Sequence, residues 1–257
     1  MASFRVAPFA ALLSVLIAAA GLANAQATRD TVAPLLEQQV QSNAVTAYQI
    51  QKYLMKDIPK PRAPATAEQW SVEQQVLRKH ILKDVIYHGW PKEWIDSAPQ
   101  FEQVEVIETT HGYRIRKYRY EIVPGFESTA LLYEPVQLNA KVPAILNFTG
   151  HDPFGNLSEY EQKRCINFAK KGILALSLGW PGLGELAQQG NNHDFAANLD
   201  LVGANSLGFF YLLIRRGLDF LASLPNTDST RIGATGLSGG GWQTILISSM
   251  CALPSAP

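Results

Sequence analysis

The run Arg231-Ile-Gly-Ala-Thr-Gly-Leu-Ser238-Gly-Gly-Gly-Trp242 constrains the fold more than any other stretch. Residues 232–235 read as the end of a short strand, and residues 243–250 as an apolar helix. Between them Gly236-Leu237-Ser238-Gly239-Gly240 matches the G-x-S-x-G pattern. A strand that turns into a helix over so few residues needs strained backbone at the serine. That strain holds the hydroxyl above the sheet edge. Flanking glycines are required because a Cβ there would meet the neighbouring strand and helix. The helix also turns its free N–H groups and the positive end of its dipole toward the same point, which suits a developing oxyanion. A helical run at 212–223 leads into the strand. The bland alternative is a glycine-rich turn with no chemistry.

The chain has 257 residues, 22 Lys plus Arg against 22 Asp plus Glu, and 47% hydrophobic residues. That balance fits one sizeable globular domain with additions, not a disordered or repeat protein. It gives no reason to expect a nucleic-acid or anionic-membrane partner. Residues 1–25 read as a signal peptide. Arg5 is a minimal basic region, residues 9–22 are apolar, and Ala23-Asn24-Ala25 is an A-x-A cleavage site, so the mature chain should begin at Gln26. No other stretch reaches the roughly 20 apolar residues of a membrane span. The expectation is a secreted or periplasmic protein with no membrane attachment after cleavage.

Residues 26–100 read as a helical N-terminal extension. One helix is expected over 32–55, then the stiff linker Pro59-Lys-Pro-Arg-Ala-Pro64, then a helix over 66–85 whose Thr66 and Gln69 match a capping box. Trp90 and Trp94 follow, either packed against the main domain or stacking on a substrate. From Phe101 the pattern becomes β-rich. Strands are expected at 104–109, 113–122 and 128–133, with a hairpin turn at His111-Gly112. Residues 142–148 and 173–178 are apolar runs suited to strands covered on both faces. Between these two lies an amphipathic helix at 158–171, ended by Gly172. After an irregular stretch at 179–205 comes a helix at 207–224. Strands that first pair as hairpins and then alternate with helices predict a mixed sheet, antiparallel at its start and parallel afterwards, flanked by helices.

Three runs carry a family resemblance: Leu146-Asn-Phe-Thr-Gly-His151-Asp152, Asp219-Phe-Leu-Ala-Ser-Leu-Pro-Asn-Thr-Asp228, and the elbow at 231–241. Over roughly residues 102–250 the chain resembles the α/β-hydrolase superfamily, and within it the exported acetyl xylan esterase, cephalosporin-C deacetylase and dienelactone hydrolase-like branch. The resemblance implies a three-layer α/β-hydrolase sheet within residues 101–257. It also implies Ser238 as the nucleophile, activated by a histidine held by an acid. The oxyanion hole would be the N–H of Gly239 and the backbone of His151, in the loop after the third family strand. A polar loop role for His151, held by Asp152, is the alternative. The substrate implied is a carboxylic ester, with acetylated carbohydrate first, and no cofactor and no metal are expected. Cys165 and Cys251 would lie on helices covering opposite faces of the sheet, as two buried free thiols.

The family orders its triad as serine, acid, histidine along the chain. Here His80, His88, His111, His151 and His193 all precede Ser238, and the residues after Ser238 contain no acid and no histidine. The expectation is therefore a hydrolase cut short after the elbow, with its sheet incomplete on the C-terminal side, poorly stable and nearly inactive. His193-Asp194 could serve as base and acid only in a chain order the family does not use. Gly179-Trp-Pro-Gly-Leu-Gly184 lacks the G-x-G-x-x-G spacing of a dinucleotide turn, and the elbow lacks the Gly-Lys-Ser/Thr of a P-loop. A peptidase or lipase of the same fold, or a non-catalytic binding protein on a hydrolase scaffold, are the competing readings. The oligomeric state is left open.

Overall fold

A computed structural model describes residues 30–58, 60, 62–188 and 192–251. The signal-peptide reading, Pro59 and Pro61 of the linker, and the tail at 252–257 lie outside the described residues. The chain divides into two compact units, Met1–Ala63 and Pro64–Pro257.

In the first unit the helix expected over 32–55 is two helices, residues 30–36 and α1 (Asn43–Lys56). The break has a local cause. Ser42 is extended, with φ −69° and ψ 145°, and its hydroxyl accepts from the Val45 N–H at 3.3 Å. A serine flanked by Gln41 and Asn43 satisfies a helix start better than it continues a helix.

The second unit starts earlier than the sequence pattern suggests. Helix α2 (Ala67–His80) is capped by Thr66, whose hydroxyl accepts from Gln69 N at 3.1 Å. A π-helical turn, Ile81–Ile86, and a short helix α3 (Lys92–Asp96) follow. The sequence reading placed this segment in an N-terminal extension. In the structure it packs with the sheet: Ile86 is fully buried in the main core, and Trp90 and Trp94 lie against it, as the packing alternative for the two tryptophans expects. Buried Arg216 donates to the carbonyls of Trp94, Ile95 and Ser97 and to Ser97 Oγ, so the end of α3 is tied to the main body.

The sheet has six strands: β1 (Phe101–Glu108), β2 (Tyr113–Val123), β3 (Phe126–Pro135), β4 (Val142–Phe148), β5 (Leu174–Leu178) and β6 (Thr227–Gly236). Their order is β1-β2-β3-β5-β4-β6. Each of the first four in that order is antiparallel to its neighbour, and β5, β4 and β6 run parallel. The expected hairpin turn is present, with Gly112 at φ 83°. Helix α4 (Glu159–Lys170) connects β4 to β5, α5 (Ser206–Ser223) leads into β6, and α6 (Gly239–Met250) follows it. Residues 179–205 are not wholly irregular, since residues His193–Val202 form a 3-10 run. Among the described residues β6 pairs only with β4, so its other edge is open.

Alternation along the strands sorts the core into two faces. Leu132, Leu146, Phe148 and Leu176 point toward α5 and α6, whereas Leu131, Tyr133 and Ala175 point toward α4. Cys251 belongs to the first cluster and Cys165 to the second, and both thiols are free and buried. Burial raises the Cys165 thiol well above its ordinary range.

Strand β4 departs from a purely apolar run at Asn147, which is fully buried. Its amide donates to Glu161 Oε2 and to Ser177 Oγ, and its carbonyl accepts from Arg164 Nε at 2.5 Å. Arg164 also pairs with Glu161 Oε2 at 2.5 Å and reaches the Phe148 carbonyl at 3.5 Å. Glu161 is fully buried, and its Oε1 has no partner among the described residues. Removing the cation alone should therefore be costly. Arg164→Ala is expected to lose about 3–5 kcal/mol in urea unfolding, because it strands a buried carboxylate. Arg164→Met with Glu161→Gln, which removes both charges and keeps an acceptor for the Asn147 amide, should recover part of that loss; a single variant as stable as wild type would refute the pairing.

Candidate active site

Strand β6 ends at Gly236 and α6 begins at Gly239, leaving Leu237 and Ser238 to make the turn. Ser238 has φ 56° and ψ −118°, the one positive φ at a non-glycine among the described residues. Backbone in this region costs on the order of 1–3 kcal/mol and persists only where its surroundings enforce it. The enforcement is visible. Gly240 N donates to Leu237 O at 2.9 Å and Trp242 N to Ser238 O at 3.1 Å. Ser238 itself is exposed.

Two glycines make the crossing possible. A Cβ on Gly236 would lie 2.3 Å from Gly240 O, and one on Gly240 would lie 2.4 Å from Phe148 O. Strand β6, helix α6 and the end of β4 thus touch backbone to backbone. Gly150 is also too close for a side chain: its Cβ would sit 2.8 Å from Leu237 O and 3.4 Å from Ser238 Cβ. The Thr149–His151 loop is therefore pressed against the serine. Gln243, buried in α6, fixes it there by donating to Thr149 O at 3.0 Å. Sequence reasoning missed Gln243; the available signal was one amide in an otherwise apolar helix start.

The structure brings Ser238, Gly239 and His151 together. Among the described residues neither the His151 N–H nor the Gly239 N–H donates a backbone hydrogen bond. The His151 imidazole lies over Gly239, with Nδ1 3.0 Å from where a Cβ would be. Asp152 does not hold His151; its carboxylate accepts from Phe154 N at 2.8 Å and shapes its own turn. His193, remote in sequence, joins the site, with its ring 5.2 Å from that of His151. Its Nδ1 meets Pro181 O at 3.2 Å. A carbonyl can only accept, so the neutral imidazole carries its hydrogen on Nδ1 and keeps Nε2 as an acceptor. Asp194 is exposed, with its Oδ1 3.7 Å from that Nε2. Gly239, His151 and His193 border a cavity of about 340 Å³ walled by Trp180, Phe210, Leu207 and Trp242. Trp180 stacks on Phe210 at 4.9 Å and 11°. Among the described residues no cluster of three or more His, Cys, Asp or Glu is placed to hold a metal, and no helix is long and apolar enough to cross a membrane.

A mixed sheet of this order, helices on both faces and a strained serine between strand and helix define the α/β-hydrolase fold. Solved structures of similar fold include several esterases. A Bacteroides fragilis protein assigned as an acetyl xylan esterase superposes with TM-score 0.65 at 19% identity, covering 83% of this chain and 58% of its own. A methylesterase gives TM-score 0.56 at 23% identity, covering 81% and 44%. A glucuronoyl esterase from Solibacter usitatus gives 0.50 at 14%, covering 75% and 61%. The chain thus spans between 44% and 61% of the length of these three structures. Comparison with protein-family profiles and with curated sequences returns no match.

The glycine crossing makes a sharp contrast testable. Gly240→Ala pushes a methyl group into a backbone carbonyl and is expected to cost about 3 kcal/mol, the upper end for overpacking. Gly241→Ala meets nothing nearer than 3.7 Å and should be neutral or gain up to about 1 kcal/mol in helix propensity. Thermal unfolding of the two variants checks this; equal stability would mean the crossing is not tight.

Proposed function

We propose that this protein is an exported serine hydrolase of carboxylic esters, with acetyl esters of carbohydrate as the first substrate class. One observation carries the reading: a serine held at φ 56° between strand and helix, beside two unspent N–H groups and an apolar cavity. Ser238 Oγ attacks the ester carbonyl. The N–H groups of Gly239 and His151 then receive the oxyanion, aided by the N-terminal end of the α6 dipole. Preorganised donors of this kind are worth roughly 10²–10³ in rate each. The likeness in fold to acetyl xylan and glucuronoyl esterases supports the choice of carbohydrate esters.

The reaction also needs a base for the Ser238 proton and an acid to orient that base. In α/β-hydrolases both follow the nucleophile in sequence, and residues 239–257 contain neither type. A polypeptide of residues 26–257 should therefore turn over p-nitrophenyl acetate only at a residual level, on the order of 10³–10⁴ over water. Full esterase turnover, lost in both Ser238→Ala and His193→Ala, would instead make His193 the base.

Fluorophosphonate labelling mapped by mass spectrometry tests the nucleophile directly. The adduct is expected on Ser238 in preference to other exposed serines, forming faster as pH rises because hydroxide stands in for the base. Labelling spread evenly over surface serines would end the hydrolase reading and favour a binding protein on this scaffold. Export is checked separately: N-terminal sequencing of protein recovered outside the cytoplasm should begin at Gln26, and a retained Met1 would refute cleavage.

A further inference from the structure

Beyond the first cavity lies a second, of about 270 Å³, and His193 lines both. Its walls are aromatic: Trp90 and Trp94 from the segment before the sheet, Phe126 from β3, Phe195 from the 3-10 run and Phe209 from α5. Phe126 is 40% exposed and Phe195 56% exposed. Clustered exposed aromatics around a concavity mark a binding surface more often than a packing accident. The walls are also held firmly. Trp90 Nε1 donates to Asn205 O at 2.7 Å, and a Cβ on Gly208 would collide with that indole at 2.3 Å. The four hydrogen bonds from Arg216 fix the carbonyl end of α3, the helix that carries Trp94.

The chemistry of the occupant follows from the polar atoms. The Trp90 N–H is spent on Asn205. Asn192 is engaged at both ends, accepting from Asp194 N at 3.2 Å and donating to Asp194 Oδ2 at 3.0 Å. His193 Nδ1 is spent on Pro181. His193 Nε2, the Trp94 indole N–H and one hydrogen of the Asn192 amide are left to meet a ligand. A pyranose would bring several hydroxyls, each both donor and acceptor, to walls that are mostly hydrocarbon, and each hydroxyl buried without a partner costs on the order of 1–3 kcal/mol. An aromatic ring carries no such cost, and an apolar cavity of about 150 Å³ suffices for benzene. We propose that this second cavity is the seat of an aromatic ring carried by the ester substrate, with the bridging chain passing His193 toward Ser238. The inference rests on the ester-hydrolase reading for its link to Ser238, but the cavity's ligand can be tested without turnover.

The probe is 3-phenylpropan-1-ol, titrated into the protein with tryptophan fluorescence as the readout, beside methyl β-D-xylopyranoside. Saturable quenching by the phenyl alcohol is expected, and little by the xyloside. Phe195→Ala and Phe126→Ala, both at exposed positions that folding should tolerate, should each weaken phenyl-alcohol binding about three- to tenfold. Trp242→Ala, which alters only the first cavity, should leave it unchanged. Three results would overturn the proposal: no saturable binding; binding weakened by Trp242→Ala but by neither phenylalanine variant, which puts the ring in the first cavity; or tighter binding of the xyloside, which makes the cavity a sugar site. Loss of fluorophosphonate labelling with phenyl-alcohol binding intact would sink the hydrolase reading and spare this one.

Discussion

Everything near Ser238 depends on three lengths of backbone meeting without side chains between them. The ends of β4 and β6 and the first turn of α6 approach so closely that Gly236 and Gly240 admit no methyl group. That contact forces the turn to close over Leu237 and Ser238 alone, and so produces the positive φ at the serine. It also brings the Thr149–His151 loop against the serine, where Gly150 repeats the same requirement. The strain is local, and the packing that maintains it is spread over both faces of the sheet.

The loop is supported from below as well. Asn147 sits one residue before Phe148 and two before Thr149, and its amide is locked by Glu161, Arg164 and Ser177. Arg164 also reaches the Phe148 carbonyl. The buried polar cluster on one face and Gln243 on the other thus hold the two ends of the same short segment. Such networks fix geometry more reliably than they add stability.

Much of this could be read from the residues. Strand β4 and the strand–turn–helix at the elbow were legible because an unbroken apolar run and G-x-S-x-G each allow few backbones. Helix α5 was legible from its apolar periodicity. What could not be read was anything set by contacts distant in sequence. The membership of residues 64–100 in the sheet unit depends on Arg216, more than a hundred residues later. The placement of His193 beside His151 depends on a loop whose composition signals only irregularity. The break at Ser42 is the opposite case, since a local cap overrode a helical periodicity that spans it.

Arg216 has a consequence for how far this polypeptide can be shortened. Arg216 is 3% exposed, and every hydrogen bond described for its guanidinium goes to residues 94–97. A version starting at Phe101, where the β pattern begins, would keep the whole sheet and yet leave a buried cation with its acceptors deleted. The natural cut is therefore not where the strands start. It lies near Pro64, where the second compact unit begins in sequence, and the helical segment after it belongs to the structural minimum of the sheet.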